Sequence, residues 1–225
     1  MSAVPRLTLV TDRRATAGRP LVETVAAALA GVPGGGVPPA EIAVQLRDKD
    51  LDGRALAELA RALRAVTAAA GAALYVNDRA DVALAVGADG VHLGGGSLDP
   101  AEVARVAPGL AIGVSTHSAA EVATARRAPV AFAFLGPIAD TPAKRRFGPP
   151  LGVGAIAAAA GAGLPLVAIG GVTPADVPAL LAAGAHGVAC IRAVLGAVDP
   201  GQALREFCKQ LCAASAPDRH RAAKT

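Results

Sequence analysis

Several short stretches of the chain concentrate residue types that handle phosphate chemistry. Gln45-Leu46-Arg47-Asp48-Lys49 sets an amide, a planar guanidinium and an ammonium at alternate positions, so an extended strand turns all three toward one side. The competing reading is a solvated charge run just beyond a strand. Asn77-Asp78-Arg79 adds a second amide, a carboxylate and another cation. Magnesium takes one or two carboxylates together with ligand phosphates and waters, so Asp78 alone could hold it. Asp78 reads equally as a cap for the helix that follows. GVSTHS, residues 113–118, offers Ser115 and His117 as ligand contacts, while Ser118 stands in capping-box spacing with Glu121. GPIADTPAK supplies Thr141 and Lys144, which could close over an anion, with Arg145 and Arg146 facing solvent. Ile169-Gly170-Gly171 and Ile191-Arg192 complete the set: paired glycines allow a backbone to approach a phosphate closely.

These groups need a scaffold that gathers them. Apolar runs of β type recur along the chain: LTLVT at 7–11, IAVQLR at 42–47, AALYV at 72–76 and GVHL at 90–93, then AIGV, AFAFL, PLVAI and GVACI. Between them lie alanine-rich segments of helical period, such as LDGRALAELARALRAVTAAA, with apolar residues at three- and four-residue spacing. Nearly continuous apolar strands are typical of parallel sheets covered on both faces. Eight such units in 225 residues predict an α/β fold, a single (β/α)8 TIM barrel, with a doubly wound open sheet as the structural alternative. The barrel domain is expected over 1–213 and a flexible basic tail over 214–225. In a barrel the strand carboxyl ends share one mouth, which brings the phosphate-type residues together. The glycine-rich stretch 31–39 and the loop 140–154 interrupt the rhythm, and the second, following a strand, is a candidate lid.

Composition narrows the function. The chain is 53% hydrophobic, yet no stretch approaches the roughly 20 apolar residues of a spanning helix, so no membrane role is expected. The first residues lack a secretory pattern, and a cytoplasmic location is expected. A net charge of +4 is compatible with nucleic acid, but one Tyr, four Phe and no Trp supply few stacking surfaces, so a small phosphorylated ligand is the better account. The cysteines at 190, 208 and 212 form neither a disulfide framework nor a zinc pattern and read as buried free thiols. His92, at an apolar strand end, reads as a packed residue. A homo-oligomer is left open.

The ordered set VQLRDKD, VNDRADVALAVGADGVHLG, IGVSTHS, GPIADTPAK and VAIGGVTP resembles the thiamine phosphate synthase superfamily over residues 7 to 208. That family includes thiazole tautomerases on the same barrel. The resemblance implies a magnesium-assisted transfer, in which hydroxymethylpyrimidine diphosphate loses pyrophosphate and is captured by the nitrogen of hydroxyethylthiazole phosphate. It also implies roles. Gln45 would contact the pyrimidine; Arg47, Lys49, Asn77 and Lys144 would hold the diphosphate; Asp78 would bind Mg2+. Ser115 would position the pyrimidine and leaving group, Thr141 would lie beside the thiazole phosphate, and Gly171 with Ile191 would cradle that phosphate.

The departures from the family pattern are specific. Where synthases continue past VHLG toward a second metal-binding aspartate, this chain has Gly95, Gly96 and Ser97. Asp99, followed by proline, reads as a helix start rather than a replacement. The TxTK motif is Thr141-Pro142-Ala143-Lys144, lacking one hydroxyl, and Arg192 stands where a serine is expected, offering a cationic phosphate contact. Two alternatives follow: a thiazole tautomerase-like enzyme in which His117 moves the proton, and a non-catalytic thiazole-phosphate-binding regulatory barrel.

Overall fold

Eight parallel strands close on themselves in sequence order, β8 pairing with β1, in a computed structural model that describes residues 4–141, 145 and 148–215. The strands are β1 (Leu7–Val10), β2 (Ile42–Leu46), β3 (Ala73–Asn77), β4 (Gly90–Leu93), β5 (Ala111–Thr116), β6 (Phe132–Leu135), β7 (Leu166–Ile169) and β8 (Gly187–Cys190). Each falls on one of the eight apolar runs, and closure excludes the open sheet. The helices are α1 (Leu21–Leu29), α2 (Gly53–Ala70), α3 (Ala80–Ala85), α4 (Pro100–Val106), α5 (Ala119–Ala125), α6 (Gly154–Ala160), α7 (Val177–Ala182), α8 (Arg192–Leu195) and α9 (Pro200–Ser215). Helix α9 thus runs two residues past the expected domain end, and the tail from 216 onward lies outside the described residues.

Alternation along the strands divides the core in two. One set of side chains meets the helices, and the other fills the barrel with Val10, Ala43, Tyr75, Phe132, Phe134, Val167 and Ala189. Size is complementary inside. A Cβ at Gly90 would stand 2.3 Å from the Tyr75 ring, and one at Gly113 would stand 2.5 Å from Phe132, so glycine at both positions makes room for the aromatic rings. Tyr75 and Phe132 meet edge to face, with centroids 5.4 Å apart.

The helices start and stop for local reasons. Asp52 accepts from the Ala55 N–H at 2.9 Å at the head of α2, Leu56, Ala60, Leu63 and Thr67 form its buried stripe, and Gly71 ends it at φ 70°. Asp99 and Glu102 form a capping box around Pro100, which confirms Asp99 as the start of α4. Ser118 caps α5 by accepting from Glu121 N.

The stretch 31–39 is anchored away from the mouth. It joins α1 to β2, and Gly35 and Gly36 lie against Cys208 and Cys212 of α9. All three cysteines are free; Cys190 and Cys208 are buried, but Cys212 is exposed, because it lies one turn beyond Cys208 near the end of α9. Among the described residues no helix is long and apolar enough to cross a membrane.

Candidate active site

The carboxyl ends of β2, β3 and β4 carry a run of hydrogen bonds that converges on the Asp78 carboxylate from both sides. Gln45 is buried and donates from Nε2 to Asn77 Oδ1 at 3.2 Å. Asn77 donates from Nδ2 to Asp78 Oδ2 at 2.6 Å. The other carboxylate oxygen of Asp78, Oδ1, accepts from Gly94 N at 3.3 Å and from the Ser97 hydroxyl. Ser97 Oγ in turn accepts from Gly94 N at 2.6 Å. The run therefore ends in an anion and begins at Gln45 Oε1, which is buried and has no hydrogen-bond partner among the described residues. An unsatisfied carbonyl oxygen at a barrel mouth calls for a donor from a ligand or water.

Asp78 does not cap α3. Arg79 occupies that position, and Asp78 sits at φ 61°, in the left-handed region that few non-glycine residues adopt. Its N–H donates to the His92 carbonyl at 3.0 Å, which extends the β3–β4 pairing by one residue and swings the carboxylate toward Gly94 and Ser97. Backbone strain of this kind gathers at functional sites. Arg79 is held elsewhere: its guanidinium grips Asp81 at 2.8 and 2.5 Å and lies over Gly53, so it is removed from the cations that sequence had offered.

The other two cations beside β2 are left available. Asp48 is paired with Arg13 and Asp50 with Arg14, so Arg47 and Lys49 are exposed without an ion pair among the described residues. The Arg47 N–H donates to the buried Thr11 hydroxyl at 2.9 Å, which fixes the backbone where β2 opens into its loop.

On the opposite wall, the loops after β6 and β7 are interlocked. Ile138 N donates to Ile169 O at 2.9 Å and Ala139 N to Gly170 O at 2.8 Å. Gly171 has φ 70°, and a Cβ there would stand 2.9 Å from that of Ala139, so both conformation and space require glycine. Thr141 Oγ1 is buried without a partner among the described residues. Ile191 precedes α8, a one-turn helix with no side-chain cap, and Arg192 is its exposed first residue. A short helix after β8 beside the β7 loop is the usual phosphate position of this architecture. Lys144 lies outside the described residues.

Ser115 is half-buried at the end of β5, and its Oγ is 3.0 Å from Nε2 of His92. His92 is enclosed in the barrel beside Phe134, and burial drives its pKa down to about 3; Asp78 opposes that shift and Arg47 adds to it. The ring is therefore neutral. Sequence reading had taken His92 as packing, and the polar half of its environment was invisible because Ser115 lies 23 residues away on another strand. His117 is exposed; its Nδ1 is 2.5 Å from the Gly136 carbonyl, so Nδ1 carries the proton and donates.

A family model described as thiamine monophosphate synthase matches residues 7–194. The chain belongs to the thiamine monophosphate synthase family. A putative thiamine-phosphate synthase of Geobacter sulfurreducens is 46% identical over 202 residues, covering 88% of this chain and 91% of that protein. A thiamine-phosphate synthase of Methanoculleus marisnigri is 44% identical over 215 residues, covering 95% and 98%. Among solved structures, thiamine phosphate pyrophosphorylase from Pyrococcus furiosus superposes with a TM-score of 0.81 at 33% identity, covering 93% of this chain and 96% of that one. Within this family fold, the Ser97 hydroxyl donates to Asp78 at the carboxyl ends of β3 and β4.

Proposed function

We propose that the protein joins hydroxymethylpyrimidine diphosphate to hydroxyethylthiazole phosphate, releasing pyrophosphate and forming thiamine phosphate. The observation that carries this reading is the polar run from Gln45 Oε1, which lacks a partner among the described residues, to the Asp78 carboxylate, with Arg47 and Lys49 following Gln45 on β2 and its loop without an ion pair among the described residues. An amide oxygen at one end suits the amino group of a pyrimidine, the carboxylate at the other suits a divalent cation, and Arg47 and Lys49 suit a diphosphate.

The bond between the pyrimidine methylene and the diphosphate oxygen breaks first, leaving a cation on the ring and its electron pair on the leaving group. The thiazole nitrogen then forms the new C–N bond. Charge accumulates on the leaving oxygens, so fixed cations at Arg47 and Lys49 stabilise departure more than they stabilise the bound substrate. Lys144 is assigned the same task. Thr141, Gly171, Ile191 and Arg192 hold the thiazole phosphate, which fixes the nitrogen against the methylene and replaces a bimolecular encounter by proximity. No side-chain nucleophile is required.

The residues present fit magnesium. A carboxylate offers about four lone-pair sites, and Asp78 engages three donors, Asn77, Gly94 and Ser97, which leaves room for one metal bond. Ser97 Oγ adds a neutral oxygen beside it. Asp78 and Ser97 would hold the ion, which supplies charge neutralisation at the diphosphate when bound. A cytoplasmic location belongs to the same proposal, since both substrates are charged esters.

Purified protein incubated with both substrates and magnesium is expected to form thiamine phosphate, read by chromatography. Absence of product above background overturns the reading, and proton exchange on a thiazole carboxylate phosphate would then mark the tautomerase.

A further inference from the structure

His92 has no task in the reaction proposed above, yet its surroundings are unlike those of a packing residue. The imidazole lies inside the barrel, its centroid 4.2 Å from that of Phe134 and 5.9 Å from that of Phe132. Nδ1 is buried and has no hydrogen-bond partner among the described residues. A Cβ at Gly113 would stand 2.8 Å from Nδ1 and 2.5 Å from Phe132, so no water fits between them. A side chain kept only to fill space would be better served there by a phenyl ring, which leaves no polar atom stranded. The stranded nitrogen is the cost of having the other one, and among the described residues Nε2 has a single partner, Ser115 Oγ at 3.0 Å.

The tautomer decides what Ser115 can do. With the proton on Nδ1, an N–H would be buried against Gly113 with nothing to accept it, and Ser115 would spend its own hydrogen on Nε2, turning lone pairs toward an anionic ligand. With the proton on Nε2, the ring donates to Ser115 Oγ. The serine hydrogen is then free to point into the mouth. Only this arrangement meets a developing negative charge with a donor already in place.

We propose that His92 is a positioning residue that donates from Nε2 to Ser115 Oγ and thereby fixes the serine hydroxyl as a hydrogen-bond donor to the departing diphosphate. No proton leaves His92. The inference rests on the transfer reaction proposed above for its catalytic consequence, and on geometry alone for the tautomer.

A double-mutant cycle separates this role from packing. His92→Leu is expected to lower kcat at least tenfold while the KM for the pyrimidine diphosphate stays within about twofold. His92→Gln, whose amide can donate to Ser115, recovers most of the loss. In a Ser115→Ala background, His92→Leu has no further effect on kcat. A tenfold loss that persists in that background overturns the proposal. Independently of turnover, 15N NMR of the imidazole in the unmodified protein is expected to show the Nε2-protonated tautomer, with an Nε2 resonance that moves in Ser115→Ala. An Nδ1-protonated ring overturns the proposal too. Absence of thiamine phosphate from the unmodified protein is a failure of the transfer reading, and the NMR result still decides the tautomer.

Discussion

Ser97 donates its hydroxyl hydrogen to Oδ1 of Asp78, and Gly94 N donates to both of them. The serine therefore holds the carboxylate in place without contributing charge of its own. The glycines before it leave open space: a Cβ at Gly95 or Gly96 would meet nothing within 4 Å. A carboxylate at position 97 would accordingly find room beside Asp78. Ser97→Asp is expected to tighten divalent-metal binding about tenfold, equivalent to about 1.4 kcal/mol, when manganese is titrated in the presence of pyrophosphate and followed by electron paramagnetic resonance. Ser97→Ala, which removes the neutral oxygen beside Asp78 and one of the donors that hold its carboxylate, is expected to weaken it severalfold. Equal affinities in all three proteins would show that position 97 does not face the metal.

Asp78 allows backbone and charge to be separated. At φ 61° an Asn is as comfortable as an Asp, because a short polar side chain bonds locally in the left-handed region. Asp78→Asn is expected to leave the thermal midpoint within about 2 °C while reducing magnesium-dependent turnover at least about 100-fold, as loss of a charge-stabilising group does. Asp78→Val, β-branched at a positive φ, is expected to lower stability by roughly 1–3 kcal/mol. Calorimetric unfolding of the three proteins checks both halves.

His92 couples stability to pH. Its folded pKa is about 3, below the ordinary value of 6.5, because the barrel interior excludes the charged ring. Between those values the unfolded chain binds a proton that the folded one refuses, so stability is full above about pH 6.5 and is lost as pH falls toward 3. At pH 5 the loss is on the order of 2 kcal/mol. His92→Gln removes this contribution, so its unfolding free energy should fall less than that of the unmodified protein between pH 7 and pH 5. Parallel pH profiles would contradict the burial argument.

The barrel was legible because its strands are short apolar runs at regular spacing, and each β segment of the structure falls on one of them. Helix starts at Asp99 and Ser118 were legible because a cap and its partner lie three residues apart. The site was legible only as a set of residue types. Pattern alone could not tell Arg79, held by Asp81 two residues on, from Arg47, whose neighbour Asp48 is held by Arg13 of the turn after β1. Nor could it distinguish a capping Asp78 from one turned toward Ser97, since that depends on a single backbone angle. His92 was hidden for a similar reason: its partner comes from the neighbouring strand.

Arg192 should act on one substrate and not on the other. It is the exposed first residue of α8, after a strand end whose backbone is uncapped by any side chain, and no acidic residue pairs with it among the described residues. The phosphate of the thiazole is the anion placed there by the reaction proposed above, while the diphosphate lies across the mouth with Arg47 and Lys49. Arg192→Ala is therefore expected to raise the KM for the thiazole phosphate about fivefold and leave the KM for the pyrimidine diphosphate within about twofold. The modest size reflects solvent screening at an exposed position. Screening also predicts the salt response: raising ionic strength from 0.05 to about 0.5 M should weaken thiazole phosphate binding in the unmodified protein more than in the variant. Steady-state kinetics at two salt concentrations checks it, and a change confined to the pyrimidine diphosphate would move Arg192 to the other half of the site.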